Sequence, residues 1–304
     1  MKKKLAASVA IILLLPVALA YIFIPKELEV SSIVPVHANA SGTFRIIGEE
    51  DYWKKGWMGN RPGGFSLVLA AKSFHGMTIS LERGEDKLFS SLTILNLGRI
   101  DSIGLQWKCN SLTSLNPFRR VQQYFRSVAI KEMMDSVLPV LRSFLEKKEN
   151  IYGMPIVDSM SRDSTLLVTK FQTLSYPSIS EIYRSVHAIR TYIAGQGARE
   201  ANYPWLHVSQ EKDSAFDVII AIPVDRQLNG NGSILPRHYV PWKIVVGEVR
   251  GGAYTSEQAM NRLQQYIGDY QQSPMGLPFQ SLVTERDREP DTTHWVTRVV
   301  QAVP

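Results

Sequence analysis

The chain is 304 residues long, with 44% hydrophobic and 20% charged residues, a composition typical of a globular protein of one or two domains. The formal net charge of +6 includes Lys2, Lys3 and Lys4, so only about half of it belongs to the body of the chain. This excludes the dense basic surface of a nucleic-acid-binding protein, and we expect no nucleic-acid partner.

A hydrophobic helix is the first predicted element. The stretch from Leu5 to Ile24 has no polar residue after Ser8, and at about 1.5 Å per residue it is long enough to cross a hydrocarbon core of about 30 Å. The three lysines before it favour the cytoplasmic side. Residues 1–25 therefore predict a single-pass anchor in the cell inner membrane, with the body of the protein on the periplasmic side.

The same residues allow a cleaved signal peptide instead. Ala18-Leu19-Ala20 has the small-x-small pattern of a cleavage site, and Pro16 precedes it. Both interpretations place the rest of the chain outside the cytoplasm. The anchor is preferred, because cleavage would leave a very apolar mature N-terminus.

Residues 26–150 change from strand patterns to a helix pattern. A strand at Glu29–Val34 leads into an amphipathic segment at Thr43–Met58, and Phe65–Leu112 contains several alternating strands. From Val121 onward apolar residues recur every three or four positions, which predicts one long helix to about Lys148. Pro139 predicts a kink in that helix.

This order of elements, with Trp53 and Trp57 ahead of the strands, resembles the START-like (SRPBCC, polyketide cyclase-type) helix-grip fold. The resemblance implies a cavity between the sheet and the long helix. Two alternatives stay open: the cavity takes a lipid-like ligand, or the chain's own side chains fill it. Cys109, the single cysteine, lies in an alternating strand and is interpreted as a buried, unreactive thiol.

Residues 151–304 contain a duplicated segment. Ser178 and Glu181 predict a capping box before a helix that ends near Tyr192, and Thr255 with Gln258 predicts the equivalent cap before Tyr266. The two tyrosines are about 74 residues apart, and each helix lies between strand-like runs. We therefore predict a strand–helix–strand repeat with a groove between its halves, a place where small molecules commonly bind.

The second half of the chain also carries a family resemblance. The strand Lys243–Val249, the turn Arg250-Gly251-Gly252, the tail Gly276–Leu282 and Trp295-Val296-Thr297 are similar to the GyrI-like effector-binding domain, the ligand-sensing part of AraC- and MerR-type regulators. With the anchor and the START-like half, the chain resembles membrane-anchored bacterial proteins that join these two domains. We expect an α+β fold with an antiparallel sheet. Gene regulation is disfavoured, because no helix-turn-helix segment is recognised.

The resemblance implies an aromatic-walled pocket, which in several members holds a buried carboxylate that faces a cationic ligand. The matching position here is Gln280, an amide, so we expect a neutral or amphipathic ligand. Trp205 and Trp295 occupy comparable places after each helix and are the preferred walls. The predicted ligand-binding residues are Tyr176, Trp205, Glu248, Gln280 and Trp295, and the further wall candidates, which core packing would equally explain, are Tyr203, Trp242, Tyr254 and Phe279.

Acidic residues near the groove suggest an alternative function. Glu248 lies in an apolar strand, where it either acts as a buried base or points to solvent. The charged run Glu285–Asp291 is typical of a solvated loop, although it would bring Glu285 and Asp291 to the groove if it folded over it. A hydrolase therefore requires Glu248 or Glu285 to be buried beside a tyrosine.

A small-molecule-binding protein is the function that these patterns favour. A hydrolase working in the groove is one alternative, and a non-catalytic envelope interaction module with filled cavities is another. The six histidines show no metal-ligand spacing. Neither a metal nor a cofactor is expected, and no catalytic residue is assigned.

Overall fold

The computed structural model describes residues 14–54, 62–84, 86–162, 164–210 and 215–304. The chain divides into two compact units, Met1–Lys147 and Lys148–Pro304. Each unit is built on its own antiparallel sheet with helices, which confirms the α+β class. The predicted boundary after residue 150 falls inside a short helix of the second unit, Lys148–Tyr152.

The N-terminal segment is described only in part. Residues 14–23 are helical (α1), whereas the first part of the predicted span from Leu5 to Ile24, and Trp57 of the tryptophan-containing segment, lie outside the described residues. Among the residues that are described, no helix is both long and apolar enough to cross a membrane. The membrane anchor stays a prediction.

The first unit contains a five-stranded sheet in the order β1-β5-β4-β3-β2. Its strands are β1 (Glu27–Val36), β2 (Ser66–Ser73), β3 (Gly76–Arg83), β4 (Asp86–Arg99) and β5 (Ser102–Leu112). Its further helices are α2 (Ala40–Ile47), α3 (Glu50–Lys54), a 3₁₀ turn at Pro62–Gly64 and the long α4 (Pro117–Leu145). This is the predicted order of elements; α4 includes Pro139 and ends slightly earlier than expected.

Local sequence explains where these helices start. The Asn39 side chain accepts hydrogen bonds from the backbone N–H groups of Ser41 and Gly42 at the start of α2, at 2.8 and 3.2 Å. Asn116 caps α4 in the same way and is followed by Pro117, whose missing N–H has no intrahelical role at that position.

The interior of the first unit is filled by its own side chains. Large buried apolar residues alternate along β3 and β5, β4 contributes Leu92, and α4 adds a stripe at helical spacing. The largest fully buried side chains of this unit are Ile47, Phe65, Met77, Ile79, Leu81, Leu92, Ile103, Leu105, Trp107, Ile130 and Met133. Cys109 is buried as predicted, and burial raises the pKa of its thiol. Of the two alternatives for this half, the packing favours a filled core.

The second unit contains an eight-stranded sheet in the order β10-β7-β9-β8-β12-β13-β11-β6. Its strands are β6 (Ile156–Ser161), β7 (Thr165–Thr173), β8 (Trp205–Gln210), β9 (Phe216–Pro223), β10 (Leu235–His238), β11 (Trp242–Arg250), β12 (Met275–Leu282) and β13 (Val296–Val303). Its helices are α5 (Lys148–Tyr152), α6 (Ile179–Gly195), α7 (Ala253–Asp269) and a 3₁₀ turn at Thr292–His294.

The predicted duplication is present, and the repeated unit is larger than predicted. Strands and helices recur as β7-α6-β8-β9 and β11-α7-β12-β13, and the two sets lie as mirror orders on either side of the β8–β12 pair. Leu206 of β8 pairs with Gln280 of β12 at the centre. The repeat spacing then makes Phe279 the counterpart of Trp205. The prediction that Trp295 is that counterpart is wrong, because Trp295 lies just before β13.

The two predicted helix caps differ in outcome. Ser178 and Glu181 form the capping box of α6, with the Ser178 N–H donating to Glu181 Oε2 at 2.8 Å. The cap at Thr255 and Gln258 is wrong: α7 begins at Ala253 after Gly252, without a side-chain cap bond. The positive φ of Gly251, 140°, lets the chain turn into the helix three residues earlier than a Thr255 cap would.

The sheet of the second unit has two different faces, because successive strand residues point to opposite sides. On the helix face, Leu167, Ile220 and Ile222 pack in one cluster with residues of α6. On the opposite face, which we call the cleft face, Trp205 clusters with Leu166, Val168 and Ala221. The position of a residue along its strand therefore decides whether its side chain lies on the helix face or on the cleft face.

Candidate functional site

A cleft of about 580 Å³ lies on the cleft face of the second unit. Its volume is within the range of about 300–1,000 Å³ that small-molecule sites usually have. The lining residues come from five strands and three connecting segments, and they are Pro155, Val157, Ser159, Met160, Ser161, Arg162, Asn202, Trp205, Ile244, Val246, Glu248, Phe279, Ser281, Arg298 and Val300. We call this site the sheet cleft.

Two aromatic rings form one wall of the sheet cleft. Trp205 and Phe279 are stacked with ring centroids 4.0 Å apart and an interplanar angle of 18°. They come from the central strands β8 and β12, at corresponding positions of the two repeats. Trp242 packs against this cluster from the side of β11. The duplication thus places two aromatic side chains together, and their stack offers a flat apolar surface to a ligand.

Aliphatic side chains form the floor of the sheet cleft. Val157, Ile244, Val246 and Val300 line it from β6, β11 and β13, and Val157 is largely exposed in this structure. Apolar area removed from water stabilises a complex by about 25 cal/mol per Å². A ligand with an apolar body would therefore gain most of its binding free energy from this floor and the aromatic wall.

The polar groups of the sheet cleft are largely matched to one another. Arg298 Nε donates to Glu248 Oε2 at 2.9 Å, with the two side chains 45% and 42% exposed. The pair neutralises its own charge, and the exposed Arg162 is the other charged residue of the lining. Glu248 therefore lines the cleft as the solvent-facing partner of Arg298 and not as a buried base.

The five predicted ligand-binding residues lie in two places. Trp205 and Glu248 line the sheet cleft. Gln280 follows Phe279 on the same strand and therefore points to the helix face, where it is buried. Tyr176 lies near Gln280, and Trp295 is buried near Arg286, so these two also belong to the helix side.

Alternation along β12 explains this separation. Phe279 and Ser281 line the cleft, and Gln280 between them does not. Strict alternation along β12 predicts from the sequence that Gln280 and Phe279 lie on opposite faces, provided that the strand and its exposed face are known. The sequence does not indicate Arg298 or Ser281 as cleft residues, because neither residue belongs to a recognisable motif.

The further wall candidates also separate. Phe279 lines the sheet cleft, and Trp242 packs against the same cluster without lining the cleft. The Tyr203 ring lies 5.9 Å from the Arg298 guanidinium carbon, at the edge of the site. Tyr254 is 72% exposed on α7 and takes no part in the cleft lining.

The helix face holds a buried polar cluster. We call Tyr176, Gln280, Arg286, Trp295 and Thr297 the helix-face cluster. Arg286 donates from Nη2 to Thr297 Oγ1 at 2.6 Å, and its guanidinium carbon lies 5.0 Å from the centre of the Trp295 ring. Burial raises the pKa of the Tyr176 hydroxyl, partly opposed by hydrogen bonding with Gln280.

Arg286 overturns the prediction that the run Glu285–Asp291 is simply a solvated loop. Its side chain is only 3% exposed, and its backbone N–H donates to the Tyr183 hydroxyl at 2.7 Å. Burial lowers the pKa of its guanidinium. Asp291 does follow the prediction, because it is exposed and caps the 3₁₀ turn through Thr293.

Glu285 is held by an ion pair. Arg190 of α6 donates to both of its carboxylate oxygens, at 2.6 and 2.8 Å, and to Glu200 at 2.8 Å. Hydrogen bonding from Arg190 lowers the pKa of Glu285. A carboxylate that stays ionised and bound to arginine is a poor proton acceptor. Neither Glu285 nor Glu248 is thus the buried carboxylate beside a tyrosine that the hydrolase hypothesis requires.

The Arg190–Glu285 pair makes stability depend on pH. Because the folded pKa of Glu285 is lowered, its contribution is present above the unfolded pKa and is lost as the pH falls through the folded value. Arg190→Met should destabilise the second unit by about 1–2 kcal/mol at pH 7, since the pair is partly exposed. Urea unfolding at pH 7 and pH 3 measures it, with Arg184→Met on the same helix as the control. A loss that is the same at both pH values would contradict this account.

Three comparisons relate the chain to known proteins. No family model matches it, and no curated protein matches it. The C-terminal domain of EcmrR is 15% identical and matches over 50% of this chain and 98% of that chain, with a TM-score of 0.43. An EcmrR–DNA complex shows 17% identity over 62% and 72%, with a TM-score of 0.45. SAV2435 bound to tetraphenylphosphonium shows 13% identity over 50% and 94%, with a TM-score of 0.34. Sequence identities and TM-scores this low assign the chain neither a family nor a ligand.

Proposed function

We propose that the second unit, Lys148–Pro304, binds a small neutral or amphipathic molecule in the sheet cleft. One observation carries this proposal: the stacked Trp205 and Phe279 stand beside an aliphatic floor in a cleft of about 580 Å³. An apolar surface with a few polar groups around it is the usual composition of a ligand site. The resemblance to effector-binding domains agrees with this function.

The charges of the sheet cleft favour a ligand without a net charge. Glu248 is already paired with Arg298, so a cationic ligand would have to displace an arginine and an anionic ligand a carboxylate. Ser159, Ser161 and Ser281 supply hydroxyl groups that donate and accept hydrogen bonds. A ligand with a flat apolar body and a hydroxyl, carbonyl or amide group at one end fits these contacts best.

A neutral fluorescent probe tests the proposal on the full chain. N-phenyl-1-naphthylamine has two aromatic ring systems and no charge, and its fluorescence emission rises when it leaves water. We expect saturable binding with one site per chain and energy transfer from tryptophan, since Trp205 is in the cleft wall. Native mass spectrometry of the protein purified from cells would identify a co-purifying ligand. A titration that does not saturate would contradict the proposal.

The first unit is assigned a structural role in this proposal. Its interior residues, such as Met77, Leu105 and Met134, are fully buried by one another and by their neighbours. In the described part of this unit, a core packed in this way would have to rearrange to take a lipid-like molecule. We therefore assign the small-molecule site to the second unit alone.

We also propose that the protein is anchored in the inner membrane with both units in the periplasm. The supporting feature is the apolar run Leu5–Ile24 after Lys2, Lys3 and Lys4. A C-terminal alkaline phosphatase fusion should be active, and a C-terminal green fluorescent protein fusion exported by the same route should stay dark. Carbonate extraction should leave the chain in the membrane pellet. An inactive phosphatase with a fluorescent fusion would contradict the export, and release by carbonate would support the cleaved signal peptide.

A further inference from the structure

We propose that the helix-face cluster is a second binding site, separate from the sheet cleft, that takes the carboxylate of a small hydroxy acid through Arg286. The two sites lie on opposite faces of the same sheet, because Gln280 and Thr297 point to the helix face while Phe279 and Arg298 point to the cleft face. The sheet cleft favours a ligand without a net charge, whereas the helix-face cluster favours an anion.

The first argument is the charge on Arg286. Its guanidinium is almost fully buried, and in the described residues it has no carboxylate partner. Burial lowers the pKa of Arg286, but an arginine guanidinium still keeps its charge in proteins. Its compensation consists of one hydroxyl acceptor, Thr297, and the face of Trp295. A buried unpaired charge is costly, so an anion that completes the pair would bind with a large advantage.

The second argument is an unused hydrogen-bond donor. Arg286 Nε is buried and has no acceptor within hydrogen-bond distance in the described structure. The acidic residues near in sequence are engaged elsewhere: Glu285 is paired with Arg190, and Asp287 lies 2.8 Å from His187. An anionic oxygen placed at Nε would satisfy both the donor and the charge, which water could do only in part.

The third argument is an unused acceptor beside that donor. Gln280 Oε1 is also buried without a partner, and Tyr176 interacts with both Gln280 and Arg286, which places the three groups together. A plain carboxylate would leave the Gln280 oxygen unsatisfied. A carboxylate with a neighbouring hydroxyl group would give an acceptor to Arg286 and a donor to Gln280.

The charge balance favours a monoanion over phosphate. Among the described residues, the charges that act on Tyr176 are those of Arg286 and of the acidic Glu257 of α7. One positive charge matches a carboxylate, whereas a dianion would keep an excess negative charge beside Glu257. Tyr176 is partly exposed and is the member of the cluster closest to solvent, so it marks the side from which a ligand enters.

The test uses the full chain and a set of small acids: glycolate, lactate, mandelate, acetate, glycolamide and inorganic phosphate. Nitrogen-15 NMR follows the arginine Nε–Hε signals, and the signal lost in Arg286→Gln identifies Arg286. We expect a saturable shift of that signal with at least one of the three hydroxy acids. Acetate should bind about 5-fold or more weakly, because it leaves Gln280 unpaired, and glycolamide should produce no shift.

Substitutions separate the role of Arg286, which binds the carboxylate, from that of Gln280, which binds the neighbouring hydroxyl group. Arg286→Gln should abolish binding of the hydroxy acids, and Gln280→Leu should remove the preference for glycolate over acetate while binding persists. Arg184→Gln, at an exposed arginine of α6, is the matched control and should bind like the wild type. If Arg286→Gln does not fold, Arg286→Lys identifies the Arg286 signal instead, and the ligand series on the wild type decides.

Several outcomes would overturn this proposal. They are no saturable shift with any hydroxy acid, equal binding of glycolamide and glycolate, tighter binding of phosphate than of the hydroxy acids, or unchanged binding by a folded Arg286→Gln protein. Saturable binding of the neutral naphthylamine probe is independent of all four, because it reports on the sheet cleft. Failure of either site is therefore distinguishable from failure of the other.

Discussion

Trp205→Ala is expected to weaken binding of N-phenyl-1-naphthylamine by at least about 10-fold, because the indole supplies half of the stacked wall of the sheet cleft. The substitution leaves a cavity in the wall and removes the ring on which Phe279 stacks, and each 1.4 kcal/mol lost is about a tenfold change in the dissociation constant. Phe279→Leu keeps an apolar side chain at the other half of the wall and should weaken binding less. Fluorescence titration measures both.

Controls separate lost contact from lost folding. Trp205 is 8% exposed and packs in a core cluster, so thermal unfolding must show that the variant is folded at the titration temperature. Tyr254→Ala removes an aromatic ring that is outside the cleft lining and should bind like the wild type. Equal weakening by Trp205→Ala and Tyr254→Ala would place the probe elsewhere.

Trp107→Ala should destabilise the first unit by about 3–5 kcal/mol, the largest stability effect that we expect. Trp107 is fully buried in β5. Its indole N–H donates to Ser90 Oγ at 2.9 Å, and Ser90 in turn donates to the Ile79 carbonyl at 3.0 Å. The substitution therefore removes a large apolar volume and leaves the Ser90 hydroxyl without its donor.

Two further substitutions separate the contributions to this loss of stability. Trp107→Phe keeps most of the apolar volume and loses the hydrogen bond, so about 1–2 kcal/mol is expected. Phe74→Ala changes a ring that is 91% exposed in the same unit and should stay within about 0.5 kcal/mol of the wild type. Urea unfolding followed by circular dichroism measures all three. A Trp107→Ala loss no larger than that of Phe74→Ala would contradict the packed core.

Patterns with a strong period allowed much of the fold to be predicted. The long helix α4 follows from apolar spacing, the α6 cap from Ser178 and Glu181, and the duplication from the similar ends of α6 and α7. These features depend on residues that are close in sequence. The α7 cap was predicted wrongly, since Gly251 changes the backbone direction before Thr255 can cap the helix.

The site could be predicted only in part, because it depends on which face of a strand each residue occupies. Trp205 and Glu248 line the sheet cleft, and their role in ligand binding stays a prediction. Gln280 was grouped with them although it is one residue from Phe279 and thus on the other face. Arg286 gave no sequence signal, since its neighbours Glu285 and Asp287 made it look like part of a solvated run.

The separation of the two faces also changes the meaning of Gln280. As an amide in a cleft it suggested only that the ligand is not a cation. On the helix face, it lies beside a buried arginine and carries an oxygen without a partner. The same residue therefore contributes to the proposed carboxylate site, while the neutral character of the sheet cleft depends on the Glu248–Arg298 pair.

Nuclear Overhauser effects between bound N-phenyl-1-naphthylamine and valine methyl groups test the central claim most directly. Val246 and Val300 point into the sheet cleft, whereas their sequence neighbours Val245 and Val299 are fully buried on the helix face. Binding in the sheet cleft predicts effects to the methyl groups of Val246 and Val300 and none to those of Val245 and Val299. Effects to Val245 and Val299, or to none of the four, would contradict ligand binding in the sheet cleft.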